Sequence, residues 1–334
     1  MTALLVCQAG EGVGLGHLSR ALVVASALRQ QLAEPVRLLI QGEPVQRPDV
    51  AALAPVFVPA AAPLGPAIAA QIQQCRPWVL LLDLHAQRLP QDLALLLQQA
   101  RASGCRVVAI DGLLAFREQL DLVFLPTWHC DDPRATGAGA PVVFGMDCLL
   151  VADGARAQAW QPGPEVLVLT GGADTTGLGA VWPAWLDAQL PARARPHWVQ
   201  GPYARAPRWP QPRRLDWTWH RAPAGLQAPM ASAHYALTIF GVSFFELLKL
   251  GVPTVVCSPY GGKDLPDLRW IEATNLAWVA YDEKEAVRHL CRLMDDDESA
   301  AALSERGLAA MALSGGAHLC RLLAAWQAPP ASDQ

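Results

Sequence analysis

The chain has 334 residues, 52% of them apolar and 17% charged, with a formal charge of −4 and an isoelectric point near 6.1. That is ample apolar material for large cores, and disorder is expected only in the tail at 327–334. The acidic balance gives no reason to expect nucleic acid as a partner, and the length favours two domains over one.

The chain opens on the apolar run "ALLVC" (3–7), with no basic segment before it, and this reads as a first strand rather than a leader. "GEGVGLGHLSR" (10–20) follows. Gly10, Gly12, Gly14 and Gly16 permit positive φ angles and a close approach of ligand to backbone. Leu18, Leu22, Ala25, Leu28 and Leu32 then fall on one face of a helix. His17 therefore stands at a helix start, where free N–H groups and a partial positive charge suit an anion. The glycines lack the G-x-G-x-x-G spacing, and no acidic residue cleanly ends the next strand, "VRLLI" (36–40). A nicotinamide-dependent oxidoreductase is therefore not expected.

Further strands are predicted at "WVLLLD" (78–83), "RVVAID" (106–111) and "LVFLP" (122–126), with helical segments between them. One of these, "PQDLALLLQQARASG", stops at Gly104 as a helix C-terminus does. The alternation predicts a parallel sheet with helices on both faces. A polar, Pro- and Gly-bearing connection at 151–164 places a domain boundary between 155 and 156. The pattern then restarts, with strands predicted at 165–172, 196–202, 215–219, 235–241, 252–258 and 276–282. The last apolar segment, 299–326, reads as helices packing on the second domain. No run of about 18 uncharged apolar residues occurs, so no transmembrane segment is expected. The eight cysteines are scattered and form no C-x-x-C pair. They are expected as small buried hydrophobes in a cytoplasmic protein, with no disulfide framework and no metal site.

"GVGLGHLSRALVVASAL" (12–28) resembles the G-x-G-H-x-x-R signature that opens a group of GT-B proteins. That group includes the UDP-sugar hydrolase of pseudaminic acid biosynthesis and the spore-coat polysaccharide glycosyltransferase relatives. Weaker similarity continues in order through "LLLDLHAQ" (80–87), "DLVFLPTWH" (121–129), "FGMDCLLV" (144–151) and "VLTGGADTTGL" (168–178). "MASAHYALTIFGVSFFELLKLGVPTVV" (230–256) is similar both to this group and to the peptidoglycan N-acetylglucosaminyltransferase. The resemblance implies an α/β protein of two Rossmann-like domains facing across a cleft. Residues 1–155 would carry the acceptor side and the catalytic base, and residues 156–334 the nucleotide-sugar. It implies no cofactor and no metal.

The residue types agree with those roles. Histidine's ordinary pKa of about 6.5 suits a base at neutral pH, and the histidine matching His17 is taken in the resembling hydrolase to activate water. Arg20 is a candidate phosphate or acceptor contact. Asp83 and His85 end a predicted strand, where ligands of open α/β sheets gather, and are candidate sugar or acceptor contacts. Gly14, Gly16, Gly171 and Gly172 let backbone approach the nucleotide-sugar, while Asp174 reads as a helix cap. Glu246 has two readings. Ser243–Glu246 has the form of an S-x-x-E capping box, whereas the resembling transferase uses this glutamate on the uridine ribose. Gly241, Val242 and Ser243 would then offer N–H groups to the diphosphate. Lys263 can pair with phosphate, and Asp264 or Asp267 with sugar hydroxyls.

Two elements depart from the hydrolase. "DLH" (83–85) stands where that protein has Asp-His-Tyr, and "GGKDLPD" (261–267) replaces an Asn-Gln pair. The leading expectation is accordingly a glycosyltransferase, inverting, with His17 as base and a UDP-linked donor. Its acceptor would be a small molecule, glycan or protein. The alternative is a UDP-sugar hydrolase of nonulosonate biosynthesis, and a third reading is a non-catalytic sugar-nucleotide binder. The segment 203–221, with five arginines and three tryptophans, is read as a structural loop and strand, with a peripheral membrane or acceptor contact as the alternative.

Overall fold

The computed structural model describes residues 2–10, 12–45, 47–152, 159–223, 225–258 and 260–327. The expected boundary at 155/156 and the expected disordered tail beyond 327 lie outside the described residues. The chain divides into two compact units, Met1–Asp153 with Leu313–Gln334, and Gly154–Ala312.

In the first unit the elements run β1 (Ala3–Gln8), α1 (Gly16–Gln31), β2 (Val36–Gln41), α2 (Pro48–Ala51), β3 (Val56–Val58), α3 (Leu64–Cys75), β4 (Val79–Asp83), α4 (Leu93–Ala102), β5 (Arg106–Ile110), β6 (Leu122–Phe124) and β7 (Val142–Val143). The strands form one sheet in the order β3-β2-β1-β4-β5-β6-β7, and every neighbouring pair is parallel. Side-chain alternation along a strand sends Leu5 and Cys7 of β1 into one core layer, with Val24 and Leu28 of α1. Leu4 and Val6 enter the other, with Ile68 of α3 and Leu97 of α4. A parallel sheet covered on both faces needs such near-continuous apolar strands. That is why β1, β4 and β5 stand out in the sequence. The short edge strands β3 and β7 carry too few residues to show a period.

The second unit runs β8 (Glu165–Leu169), α5 (Trp182–Gln189), β9 (Arg195–Gln200), β10 (Thr218–Arg221), α6 (Gln227–Ala231), β11 (Tyr235–Ile239), α7 (Val242–Lys249), β12 (Thr254–Cys257), α8 (Leu265–Ala273), β13 (Trp278–Ala280), α9 (Glu283–Leu293) and α10 (Asp297–Ala310). Its sheet order, β10-β9-β8-β11-β12-β13, repeats the first unit's winding. Val166 and Val168 pack with Trp182 of α5 and Leu290 of α9, and Leu167 and Leu169 pack with Leu247 of α7.

The final helix, α11 (Gly315–Ala324), corrects one expectation. It packs in the first unit, not the second: Leu319, Cys320 and Leu323 join the core layer formed by β1 and α1. Gly316 makes this close, since a Cβ there would meet the Ala27 Cβ at 3.0 Å. Residues 297–324 are apolar enough in composition to cross a membrane. They fold instead as two separate helices, α10 and α11, interrupted at 311–314 and divided between the two units.

Candidate functional site

In a doubly wound sheet the crossovers leave in opposite directions from the two central strands, which opens a crevice beyond their carboxyl ends. In the first unit those strands are β1 and β4. The glycine loop after β1 closes on itself: Gly14 N–H donates to the Gly10 carbonyl at 2.8 Å and Gly10 N–H returns the bond at 3.2 Å. Gly10, Gly12 and Gly14 all have φ between 76° and 132°, a region that side-chain-bearing residues rarely enter. This tight loop delivers Gly16 and His17 to the first turn of α1, beside the end of β4.

There His17, Arg20 and Asp83 come together, joined by Asp111. The His17 Nδ1 lies 2.6 Å from Asp83 Oδ1. Arg20 Nε donates to Asp83 Oδ2 at 2.9 Å and its Nη2 to Oδ1 at 2.8 Å. Nη2 also reaches Asp111 Oδ2 at 2.6 Å. The same Nη2 stands 2.9 Å from His17 Nδ1, but that nitrogen cannot both accept from Arg20 and donate to Asp83. An ionised carboxylate only accepts, and the 2.6 Å contact is the shorter, so Nδ1 carries the proton and gives it to Asp83. His17 Nε2 is thereby left with the lone pair. The His17 side chain is 12% exposed and that of Asp83 0%, so the imidazole can meet a ligand while the carboxylate is spent on its neighbours.

The electrostatics follow from this packing. Burial pushes the Asp83 carboxyl up, yet the charge of Arg20 and the hydrogen bonds from Arg20 and His17 more than reverse it, holding Asp83 below the usual carboxylate range. Burial also works against the Arg20 charge, and Asp83 and Asp111 outweigh it in turn, so the guanidinium stays protonated. Cys7, paired with Asp83 across the β1–β4 ladder, has its thiol pushed well above the ordinary range by burial and then by the Asp83 charge. It acts as an apolar wall. His17, Asp83 and Asp111 converge closely enough to hold a metal ion, but Arg20 bonds to both carboxylates and already supplies their positive charge. The group does not fit a cation.

Asp83 and Arg20 were expected to touch sugar or acceptor; here both are turned onto His17 and onto each other. His85, expected beside them, stands edge-on to the His17 ring at 5.9 Å, and its Nδ1 accepts from the Gln87 N–H. Two residues escaped the sequence reading. Asp111 follows directly on β5, the strand next to β4, a signal available only once the strand order is known. Gln8, buried at the end of β1, accepts from the His85 N–H and donates to Gln41 and Arg88, tying the β1, β2 and β4 ends together.

The remaining candidates sit at the carboxyl ends of β8, β11 and β12 in the second unit. Gly171 and Gly172 follow β8. Gly171 has φ +81°, and the Gly201 backbone passes so close that a Cβ there would lie 2.4 Å from the carbonyl oxygens of Gly171 and Gly172. Asp174 accepts from the N–H groups of Leu178 and Gly179 at 3.0 and 2.9 Å, so it binds the 3-10 turn Leu178–Ala180 and does not occupy the N-cap of α5, which is Val181. Gly241 is the N-cap of α7 with φ +153°, and the space a Cβ would take there is open. Val242 and Ser243 form the first turn, so the Ser243–Glu246 capping box does not arise: Ser243 is already inside the helix it would have to cap. Glu246, partly buried, lies one turn on. After β12, Lys263 is exposed and extends over the Tyr260 ring at 5.7 Å. Asp264 is buried and accepts from Ser258 Oγ at 2.5 Å, so its carboxylate is engaged within its own loop.

The arginine- and tryptophan-rich segment is structural in the main. Trp209 packs on Trp198, Trp217 and Trp219, and Arg213 and Arg221 stack on Trp209 and Trp219.

No family model matches the chain, and no curated protein is a significant match. Solved structures do resemble it over nearly its whole length. UGT2 of Phytolacca americana, solved with UDP-2-fluoro-glucose and pterostilbene, has a TM-score of 0.62 at 13% identity, covering 98% of this chain and 100% of that one. The spinosyn rhamnosyltransferase SpnG, solved with thymidine diphosphate, has a TM-score of 0.62 at 17% identity, covering 97% and 100%. MurG of Acinetobacter baumannii has a TM-score of 0.60 at 16% identity, covering 97% and 100%. With two parallel α/β units of the same winding, the fold is GT-B.

Proposed function

We propose that this protein is a glycosyltransferase that takes its sugar from a nucleotide-sugar donor. The observation that carries the reading is the 2.6 Å contact of His17 Nδ1 with the buried Asp83 carboxylate at the switch point of the first unit, from which Nδ1 is the donor and Nε2 carries the lone pair. A histidine so fixed takes a proton from an acceptor hydroxyl or amine as that atom attacks the anomeric carbon. The new bond to carbon forms, the bond from carbon to the phosphate oxygen breaks, the proton goes to Nε2, and the nucleoside diphosphate leaves with the electron pair. A single base opposite the leaving group corresponds to direct displacement with inversion. Asp83 and Arg20 are positioning residues in this scheme. The buried carboxylate fixes the tautomer and the guanidinium fixes the carboxylate.

The donor is assigned to the second unit. The first turn of α7, opened by Gly241, offers N–H groups and a positive dipole end to the diphosphate, Lys263 adds an exposed cation, and Glu246 can accept from two ribose hydroxyls. Gly171 and Gly172 present bare backbone to the donor in the second unit, as Gly14 and Gly16 do beside His17 in the first. Structures with this fold have been solved with UDP-2-fluoro-glucose and with thymidine diphosphate; the UDP reading rests on the resemblance of 230–256 to uridine-binding sequences. Eight unpaired cysteines suit a cytoplasmic location. The second reading, hydrolysis of a UDP-sugar in a pseudaminic-type pathway, is favoured by the G-x-G-H-x-x-R segment and opposed by the altered residues at 83–85 and 261–267.

The test is release of nucleoside diphosphate from a panel of UDP- and TDP-sugars with water as the only acceptor, then with glycan, lipid and protein acceptors, using His17→Ala as control. Donor binding with little release until an acceptor is added supports the transferase. Fast release of free sugar that needs His17 makes the protein a hydrolase, and binding with no turnover under any condition makes it a binder.

A further inference from the structure

A second cluster in the first unit plays no part in that chemistry. Asp147 and Cys148 lie in the single 3-10 turn Met146–Cys148 after β7, and His318 lies in the first turn of α11. His318 Nδ1 is 3.0 Å from Asp147 Oδ2, Cys148 Sγ is 3.7 Å from His318 Nδ1, and Sγ is 3.9 Å from Asp147 Oδ1. Nδ1 also stands 3.3 Å from the Asp147 carbonyl oxygen.

We propose that Asp147, Cys148 and His318 form a binding site for a zinc-class divalent ion, with one coordination position left to water. Thiolate, imidazole and carboxylate together are a donor set that favours zinc over the hard cations. Zinc bonds of about 2.3 Å to sulfur and about 2.0–2.2 Å to nitrogen and oxygen place the donors of a tetrahedron roughly 3.3–3.6 Å apart. The His318 Nδ1–Asp147 Oδ2 and Cys148 Sγ–His318 Nδ1 separations lie within a few tenths of an ångström of those edges, and one donor atom from each of the three residues lies within 4.8 Å of the other two, so side-chain adjustment closes the triangle on an ion. The two anionic ligands balance a dication and outweigh the positive end of α11, which works against it.

The cluster is held before any ion arrives. A Cβ on Gly315 would lie 2.4 Å from the Leu149 carbonyl oxygen and 2.8 Å from the Cys148 carbonyl carbon, so only glycine lets α11 start against this turn. The Phe124 ring stands edge-on to His318 at 6.0 Å and fixes its plane. Cys148 is fully buried, while the Asp147 and His318 side chains are 36% and 17% exposed, which opens one face of the triangle to solvent. Sequence spacing has nothing to read here, because Cys148 and His318 are 170 positions apart. The sequence expectation of no metal rested on the lack of local Cys and His patterns and on the resemblance, and this proposal departs from it. Bound, the ion would staple the crossover turn to α11.

The experiment is a titration of the full-length protein, stripped with a chelator, with Co2+ as a spectroscopic stand-in for Zn2+. Expected are one equivalent per chain, visible bands of four-coordinate cobalt, a thiolate-to-cobalt charge-transfer band, and their loss on adding Zn2+. Cys148→Ser abolishes the charge-transfer band. His318→Gln and Asp147→Asn, which keep the thiol, weaken cobalt binding by at least about tenfold. Cys75→Ser and His17→Ala leave the spectrum unchanged. Absence of a charge-transfer band at one equivalent, or a band that survives in folded Cys148→Ser, overturns the proposal. If Cys148→Ser does not fold, unchanged cobalt affinity in His318→Gln and Asp147→Asn overturns it equally.

Discussion

Asp83→Asn isolates what the buried carboxylate does. In the native site Arg20 donates to both oxygens and His17 to one of them. An asparagine has a single acceptor oxygen. If Arg20 holds that oxygen, the amide NH2 faces Nδ1, the proton moves to Nε2, and the lone pair is lost from the nitrogen that meets substrate. Orienting a general base in the wrong tautomer is expected to lower turnover by roughly 10²–10⁴-fold. The variant also removes one of the two carboxylates that Arg20 pairs with and leaves Asp111, whose side chain is 47% exposed. Removing one partner of a buried ion pair costs about 3–5 kcal/mol, and the surviving Asp111 contact puts this case toward the lower end. The sign of the pH dependence follows from the depressed Asp83 pKa. Its contribution is fully present above the unfolded value of about 3.9 and is lost as pH falls through the lower folded value. Urea unfolding at a series of pH values should therefore show a gap between wild type and variant that is constant near neutrality and closes in acid. Nucleoside diphosphate release measured beside it reports the tautomer. Activity within about threefold of wild type, in a variant whose His17→Ala counterpart is inactive, would refute the orienting role. A stability gap that persists unchanged into acid would refute the ion-pair account.

Other positions give independent checks. Asp111→Asn removes a half-exposed partner of Arg20 at a residue with φ +58°, which asparagine tolerates, so it should cost under about 1 kcal/mol in chemical unfolding. Gly241→Ala forces a side chain into φ +153° and should cost about 1–3 kcal/mol; in equilibrium dialysis it should also weaken donor binding, because it disturbs the first turn of α7. Gly315→Ala drives a Cβ into the Leu149 carbonyl and should destabilise by about 1–3 kcal/mol or more. Hydrogen exchange should show the loss concentrated at α11 and 146–149.

How much of this was legible in the sequence depends on where each signal lies. Strands β1, β4, β5, β8 and β11 are buried on both faces, so their composition alone marks them. Glycines with positive φ mark the turns that follow β1 and β8. Strand order leaves no local trace, and with it went Asp111: a carboxylate at the end of β5 becomes a partner of Arg20 only when β5 lies beside β4. The destination of α11 was hidden for a similar reason. Its apolar face, Leu319, Cys320 and Leu323, is equally suited to either sheet, and what selects the first is the pair of glycines that lets it approach α1 and the 148–149 turn.

The Ser243–Glu246 pattern shows the opposite failure, a local signal that tertiary structure does not use. The box would need α7 to begin after Ser243, with the serine hydroxyl accepting from the helix N–H three residues on. Instead β11 ends at Ile239, Gly241 takes a conformation reserved for glycine, and the helix is under way at Val242. Starting the helix early brings its N–H groups close to the end of β11 and puts Ser243 inside α7 instead of at its cap. A serine that truly caps costs about 1 kcal/mol when replaced by alanine. Ser243→Ala, measured by urea unfolding, should therefore cost less than about 0.5 kcal/mol, the ordinary range for a substitution that removes no such feature. Glu246→Gln should likewise be near neutral for stability. Should the donor assignment hold, it should still weaken donor binding by roughly 10–100-fold, the worth of charge-assisted hydrogen bonds of about 1.5–3 kcal/mol. A loss of about 1 kcal/mol in Ser243→Ala would mean that the box forms after all, and Glu246 would return to being a cap.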